Sequence, residues 1–157
     1  MKIIAELCQN HNGNFDSVKK MVDEAAEGGA SHIKLQHIYV SNLVYRAQFE
    51  QGLEVDGTVK AIKRPWQNEY DRLKTLELSD NECEKFVSYV KSLGLTPMTT
   101  CFTRGDIKRI REQGYSEIKV ASYDCASFQL LKELASTFDH IYVSTGATFD
   151  DEISHAA

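Results

Sequence analysis

Short apolar segments rich in β-branched residues alternate along the chain with longer segments of helical period. The predicted strands are residues 2–7, 32–36, 95–102, 117–121 and 141–144. Regular alternation of strands and helices is typical of a parallel sheet whose strands are joined by helical crossovers. The sequence therefore predicts an α/β fold.

Three segments between the predicted strands have the apolar spacing of amphipathic helices. Their stripes are Val18, Met21, Val22 and Ala25, then Cys83, Phe86, Val87 and Val90, then Leu130, Leu131 and Leu134. Ser79 and Glu82 have the spacing of a capping box at the start of the second helix. Glycines at 28–29, 94 and 114 stand where three helices should end, because a left-handed residue is favoured there.

One long interruption, from Ile38 to about Asn68, has no clear period. A loop of this length in a compact domain is usually functional, and the alternative is a disordered insertion. It leaves the carboxyl end of the second predicted strand, which is where α/β proteins place their chemistry.

Composition excludes several classes of protein. Hydrophobic residues make up 42% of the 157 residues, as in an ordinary globular chain, and the net charge of −5 argues against a nucleic-acid partner. No apolar run reaches the roughly 18 residues of a membrane span, and no basic segment precedes the first apolar stretch. We therefore expect a cytoplasmic protein without a membrane partner, whose four cysteines are free thiols.

Polar residues cluster at the carboxyl ends of the predicted strands. They are Glu6, Lys34, Gln36, Thr99, Thr100, Lys119, Ser122, Ser144 and Thr145. A strand buried in a parallel sheet should be apolar throughout, so Lys34 and Lys119 must reach a rim or a polar cavity. Two ammonium groups with nearby hydroxyl and backbone N–H donors suit a phosphate or a carboxylate. The sequence predicts an anion site, although Ser144-Thr145-Gly146 alone is equally consistent with a turn before a helix.

The segment Asn10-His11-Asn12-Gly13 follows the first predicted strand. A turn explains Gly13, and Asn14 is placed to cap the following helix. Glu6, one residue before the end of that strand, needs a counter-charge if it is buried, and a lysine of a neighbouring strand is the natural one.

Five ordered motifs, IAELCQNHNG, IKLQ, YDRLKTLELSDNE, IKVASYD and STGAT, resemble the N-acetylneuraminate (sialic acid) synthase family from residue 2 to the end of the chain. The resemblance implies a (β/α)8 TIM barrel that condenses phosphoenolpyruvate with an N-acetylated hexose such as N-acetylmannosamine and releases phosphate. It implies a transferase with small-molecule substrates. It also implies a divalent metal, Mn²⁺ or Mg²⁺, whose histidine ligands lie in later strands, so that no metal ligand is expected in this chain.

Carried over by position, the resemblance assigns phosphoenolpyruvate binding to Lys34, Lys119, Ser122, Ser144, Thr145 and Gly146. It places Gln36, Thr100 and Phe102 at the sugar, and it makes Glu6, Lys34, Lys119 and Asp124 the candidate catalytic residues. Two positions depart from the family pattern. Cys101 stands where a proline is usual, and Tyr123 stands where a small residue is usual, so the accepted sugar is open.

Length is the larger departure, because a closed barrel of eight βα units needs about 250 residues. We expect residues 1–157 to form the N-terminal portion of such a barrel, about five βα units, without the family's C-terminal antifreeze-like domain. The chain would then be a fragment, or form a homodimer, or fold as an open sheet. Two other functions stay open: a synthase of legionaminic, pseudaminic or spore-coat sugars, and a non-catalytic phosphoenolpyruvate-binding or assembly module.

Overall fold

The computed structural model describes residues 1–146 and 148–157, apart from the side chain of Gln48. Its strands are β1 (Ile4–Cys8), β2 (His32–Leu35), β3 (Leu53–Val55), β4 (Thr58–Ala61), β5 (Thr96–Cys101), β6 (Glu117–Val120) and β7 (His140–Val143). Its α-helices are α1 (Phe15–Glu27), α2 (Ala47–Gln51), α3 (Trp66–Lys74), α4 (Asp80–Ser92), α5 (Ile107–Glu112), α6 (Phe128–Thr137) and α7 (Asp150–Ala156). Single 3₁₀ turns cover Val40–Asn42, Arg104–Asp106 and Ser122–Asp124.

A parallel sheet of five strands forms the centre of the fold, in the order β1-β2-β5-β6-β7. The five predicted strands are confirmed, with ends that differ by one or two residues. Each strand of this sheet pairs with the strand of the next βα unit along the chain, which is the arrangement found in the wall of a βα barrel. Within the described residues the sheet ends at β1 and β7 and does not close.

The two faces of this sheet differ in chemistry. Ile33, Leu35, Ile118 and Val120 are fully buried in one cluster with the stripes of α1, α4 and α6, so the helices cover that face. Residues at alternate positions lie on the opposite face, because side chains alternate along a strand. Cross-strand pairing aligns them in two rows, which are Glu6, Lys34, Met98, Glu117 and His140, and then Thr100, Lys119 and Tyr142.

The predicted helix signals are confirmed. The Asn14 side chain accepts a 2.9 Å hydrogen bond from the backbone N–H of Ser17, and Gly13 before it has φ of 73°. Ser79 and Glu82 form both halves of a capping box at the start of α4. Each hydrogen bond satisfies a backbone group that the first helical turn leaves unpaired.

The segment from Ile38 to Asn68 is more regular than expected. It contains a 3₁₀ turn, α2, the antiparallel hairpin β3–β4 and the start of α3. The interpretation as a structureless loop is therefore wrong. The hairpin turns at Asp56-Gly57, and both residues have positive φ. A two-residue turn with these angles matches the twist of the paired strands.

No helix in the described part of the chain is long and apolar enough to cross a membrane.

Candidate functional site

A lysine and a glutamate meet at the carboxyl ends of β1 and β2. The register pairs Glu6 with Lys34, and the Lys34 Nζ lies 2.8 Å from Glu6 Oε2. The counter-charge predicted for Glu6 is thus confirmed, but the lysine is the buried partner, with 4% of its side chain exposed against 46% for the glutamate. Burial lowers the pKa of Lys34, and the Glu6 carboxylate opposes this effect.

The Lys34 ammonium keeps hydrogen-bonding capacity for a ligand. Among the described residues Glu6 Oε2, at 2.8 Å, is the only charged partner of the buried Nζ, and an ammonium has three N–H donors, so donors remain for a ligand. Lys119 lies on the same face of the sheet, and its charge further lowers the pKa of Lys34. Thr100, paired with Lys119, also has a buried hydroxyl for which the described part of the chain offers no hydrogen-bond partner. Unsatisfied buried donors are costly, and a bound anion would relieve that cost.

The turn after β6 lies beside the Ser144-Thr145-Gly146 segment after β7. A Cβ built on Gly146 would lie 3.8 Å from the Cβ and 3.9 Å from the Oγ of Ser122. The Ser144 N–H donates a 3.1 Å hydrogen bond to the Val120 carbonyl, which fixes this proximity. The structure therefore brings together Ser122, Ser144 and Gly146. Thr145 is exposed beside them, and Ala147 of the STGAT motif lies outside the described residues.

Asp124 is a buried carboxyl at the same rim. It ends the 3₁₀ turn that follows β6, and its Oδ2 has no hydrogen-bond partner among the described residues. Ser127 Oγ donates to Oδ1 at 3.5 Å. Burial raises the pKa of Asp124, and the charge of Arg46 partly offsets that rise. A carboxyl of this kind favours the protonated form more than an exposed aspartate does.

The residues predicted at the sugar have different surroundings. Thr100 is buried, whereas Gln36 and Phe102 are half-buried residues immediately after β2 and β5. The Gln36 N–H donates to the Cys8 carbonyl at 3.1 Å and so extends the β1–β2 pairing. Cys101, which replaces the usual proline, donates its thiol to the Thr103 carbonyl, and burial raises the pKa of Cys101 to about 12.

Tyr123 is exposed and lies against an arginine that the sequence analysis did not single out. The Arg46 Cζ lies 5.3 Å from the centre of the Tyr123 ring. Arg46 belongs to the segment that follows β2, and Tyr123 belongs to the turn that follows β6. No periodicity or motif linked two residues so far apart in the chain, so only the fold could bring them together.

A second polar cluster, at the amino ends of the strands, was also missed. Glu117 accepts a 2.6 Å hydrogen bond from the Tyr142 hydroxyl, forms an ion pair with Lys2 at 3.5 Å, and has its Oε2 3.2 Å from Nε2 of His32. Burial alone would raise the pKa of Glu117, but Tyr142, Lys2 and His32 together lower it. This cluster lies at the opposite end of the strands from the anion site, and its residues satisfy one another, so we assign it to stability.

The residues present do not form a metal centre. Among the residues that the structure describes, no group of three or more histidine, cysteine, aspartate or glutamate side chains is placed to hold a metal ion. His11 is buried, and its Nδ1 accepts a 3.1 Å hydrogen bond from the Gly13 N–H, so it supports the turn before α1.

A family model described as the NeuB family matches residues 21–157, most of the chain. This chain therefore belongs to the NeuB family. Among its curated relatives, N,N'-diacetyllegionaminic acid synthase of Campylobacter jejuni is 26% identical over 98% of this chain and 45% of its own length. N-acetylneuraminate-9-phosphate synthase of Mus musculus is 27% identical over 92% of this chain and 38% of its own length.

Solved structures agree with the fold. The N-acetylneuraminic acid (sialic acid) synthetase of Leptospira borgpetersenii superposes with a TM-score of 0.79 at 23% identity, over 98% of this chain and 47% of that one. A spore coat polysaccharide biosynthesis protein of Bacillus subtilis superposes with a TM-score of 0.71 at 22% identity, over 99% of this chain and 38% of that one. The chain thus spans less than half the length of these relatives.

Proposed function

We propose that this chain forms the phosphoenolpyruvate half-site of a nonulosonic acid synthase. One observation carries the proposal: the buried Lys34 ammonium has Glu6 as its only charged partner among the described residues and shares a sheet face with Lys119. Membership of the NeuB family and the synthase names of its relatives support it. The chain would correspond to the N-terminal part of a (β/α)8 barrel, in which the strands continue past β7.

In this proposal each residue has a definite task. Lys34 and Lys119 neutralise the carboxylate and the phosphate of phosphoenolpyruvate, and donors of Ser122, Ser144 and the Thr145-Gly146 backbone orient their oxygens. Glu6 holds the Lys34 ammonium in place. The methylene carbon of phosphoenolpyruvate then attacks the aldehyde carbon of the open-chain acceptor and forms the new C–C bond.

The remaining atoms follow from the overall balance of the reaction. Water adds at the C2 carbon of the enolpyruvyl group, the C2–O bond breaks, and inorganic phosphate leaves. Asp124 would give a proton to the aldehyde oxygen as it becomes an alkoxide, and burial, which raises the pKa of this carboxyl, supports that role. Gln36, Thr100 and Phe102 would face the acceptor. The family implies a divalent metal, but the described residues do not form a site for one, and no step is derived through it.

Titration calorimetry with phosphoenolpyruvate tests this function. Lys119→Ala removes a charged hydrogen-bond donor and should weaken binding by about 1 kcal/mol or more, a factor of about five. The matched control is Lys108→Ala, an exposed lysine of α5 that pairs only with Glu112 at 3.7 Å. Equal affinities for wild type and Lys119→Ala, with both proteins folded in a thermal melt, would contradict the assignment of the site.

The identity of the acceptor needs a separate experiment. Relatives carry the names of legionaminic, pseudaminic and N-acetylneuraminate-9-phosphate synthases, and this supports a nonulosonic acid product without selecting one. Phosphate release should be measured with phosphoenolpyruvate, Mn²⁺ or Mg²⁺ and a panel of N-acetylated hexoses. Binding of phosphoenolpyruvate without phosphate release from any acceptor would favour the alternative, a non-catalytic phosphoenolpyruvate-binding module.

A further inference from the structure

Arg46 is an exposed residue whose guanidinium lies over an aromatic ring and has no anionic partner among the described residues. Its Cζ lies 5.3 Å from the centre of the Tyr123 ring, which is cation–π range. A contact with the face of a ring leaves N–H donors of a guanidinium available for an anion. Among the residues that the structure describes, no carboxylate lies within salt-bridge distance of Arg46, and its side chain makes no hydrogen bond.

The position of this guanidinium connects two parts of the candidate site. In the chain Tyr123 lies between Ser122, at the proposed anion site, and Asp124, whose buried Oδ2 has no hydrogen-bond partner among the residues that the structure describes. The charge of Arg46 reaches Asp124, because it offsets part of the effect of burial on the pKa of that carboxyl. A cation with available planar donors therefore lies near the carboxyl group that the proposed mechanism places at the acceptor.

We propose that Arg46, stacked on Tyr123, binds an anionic group of the acceptor and selects a phosphorylated N-acetylated hexose over its uncharged form. The inference rests on the proposed function, because it assigns the acceptor side of the same site. A planar guanidinium can donate two parallel hydrogen bonds to a phosphate, which an uncharged hydroxymethyl group cannot accept in the same way. Lysines 34 and 119 would serve phosphoenolpyruvate, and Arg46 would serve the acceptor.

The test compares two acceptors, N-acetylmannosamine and N-acetylmannosamine 6-phosphate, by ligand-observed NMR titration with and without phosphoenolpyruvate. For the wild-type chain we expect the phosphorylated sugar to bind at least fivefold more tightly. Arg46→Ala should bring the ratio of the two dissociation constants close to one. Arg46→Lys should keep only part of the preference, because an ammonium neither stacks as a plane nor donates in a fork.

Two matched variants separate recognition from general damage. Tyr123→Phe retains an aromatic face and should keep the ratio, whereas Tyr123→Ala should reduce it. Arg72→Ala removes an exposed arginine that pairs with Glu69 on α3, and it should leave the ratio unchanged. Because each readout is a ratio of two ligands on one protein, a partly unfolded fraction cancels.

Several outcomes would overturn the inference: equal affinities for the two sugars in wild type, an unchanged ratio in Arg46→Ala, or no detectable binding of either sugar. An effect of Arg46→Ala on phosphoenolpyruvate alone would also overturn it, since Arg46 would then serve the other substrate. If phosphoenolpyruvate does not bind while the sugar preference depends on Arg46, the proposed function fails and the assignment of Arg46 stands.

Discussion

The ammonium of Lys34 lies 2.8 Å from the carboxylate of Glu6, and the buried member of this pair is the lysine. A lysine inside a sheet is stable as a cation only when a counter-charge is close. Glu6 also accepts a 3.0 Å hydrogen bond from the Cys8 N–H, so the carboxylate is held from both sides. The pair thus keeps a positive charge at the end of β2, where the proposed anion site needs one.

Glu6→Gln should destabilise the fold because it leaves the buried Lys34 without its counter-charge. The expected loss is only about 1 kcal/mol, because the carboxylate of Glu6 is half-exposed and such ion pairs contribute modest energies. The measurement is the free energy of unfolding in urea at pH 7. Glu84→Gln, an exposed glutamate of α4, is the control. In a Lys34→Met background the loss should vanish, and an equal loss there would show that the two charges are not coupled.

Asp124→Asn should stabilise the protein at pH 7 by about 1 kcal/mol, which is about 2–4 °C in Tm for a domain of this size. Burial raises the pKa of Asp124 above the ordinary value of 3.8. The folded state therefore favours the proton, and the wild type loses stability as the pH rises through the raised pKa. Thermal melts between pH 4 and 7 should show that the difference in Tm between variant and wild type becomes smaller as the pH falls.

A stabilised Asp124→Asn variant should also lose phosphate release, since an amide cannot supply the proton. Asp139→Asn, on an exposed residue before β7, is the matched control and should change neither quantity. A variant less stable than wild type at pH 7 would mean that the ionised carboxylate has a partner.

Glu117→Gln should destabilise the fold by about 1–3 kcal/mol at pH 7, because the carboxylate accepts from Tyr142 and pairs with His32 in a buried cluster. These partners lower the pKa of Glu117 below 4.5. The stabilisation that the ionised Glu117 carboxylate contributes is therefore fully present above pH 4.5, and it is lost as the pH falls through the lowered pKa. The difference in unfolding free energy between variant and wild type should therefore shrink below about pH 4, and a constant difference would refute the charged origin of the effect.

Gly13→Ala should be more damaging than the same change at Gly57. Both glycines have φ of 73°, so each substitution carries the left-handed cost of about 1–2 kcal/mol. A Cβ on Gly13 would also lie 2.4 Å from the Thr75 carbonyl oxygen, whereas a Cβ on Gly57 would meet nothing within 4 Å. Urea unfolding of the two variants should separate the close contact from the backbone strain, and equal losses would exclude the contact.

The sheet and its helices were predictable because the period of apolar residues along the sequence reflects which side chains are buried. The alternation at Glu117–Val120 already implies one apolar and one polar face, and the capping box at Ser79 marks the start of α4. Asp56-Gly57 is a typical sequence of a two-residue hairpin turn, but the segments on either side of it have no strand period, so the sequence analysis does not predict the β3–β4 hairpin.

The candidate site was predictable only in part. Lys34 and Lys119 were visible as charges inside apolar strands. The contact of Arg46 with Tyr123 was not, because it depends on where an irregular segment returns to the sheet. The cluster around Glu117 was missed for a related reason: it is created by cross-strand register, which one sequence does not reveal.

The strict alternation of the two sheet faces has a consequence for errors in folding. In β6, Ile118 and Val120 enter the apolar cluster while Lys119 lies on the polar face. A slip of one residue in pairing would bury the lysine among the helices and expose both apolar neighbours. The two lysines therefore also disfavour a one-residue slip of the strands that carry them, because such a slip would place a charge among the apolar side chains of the helices.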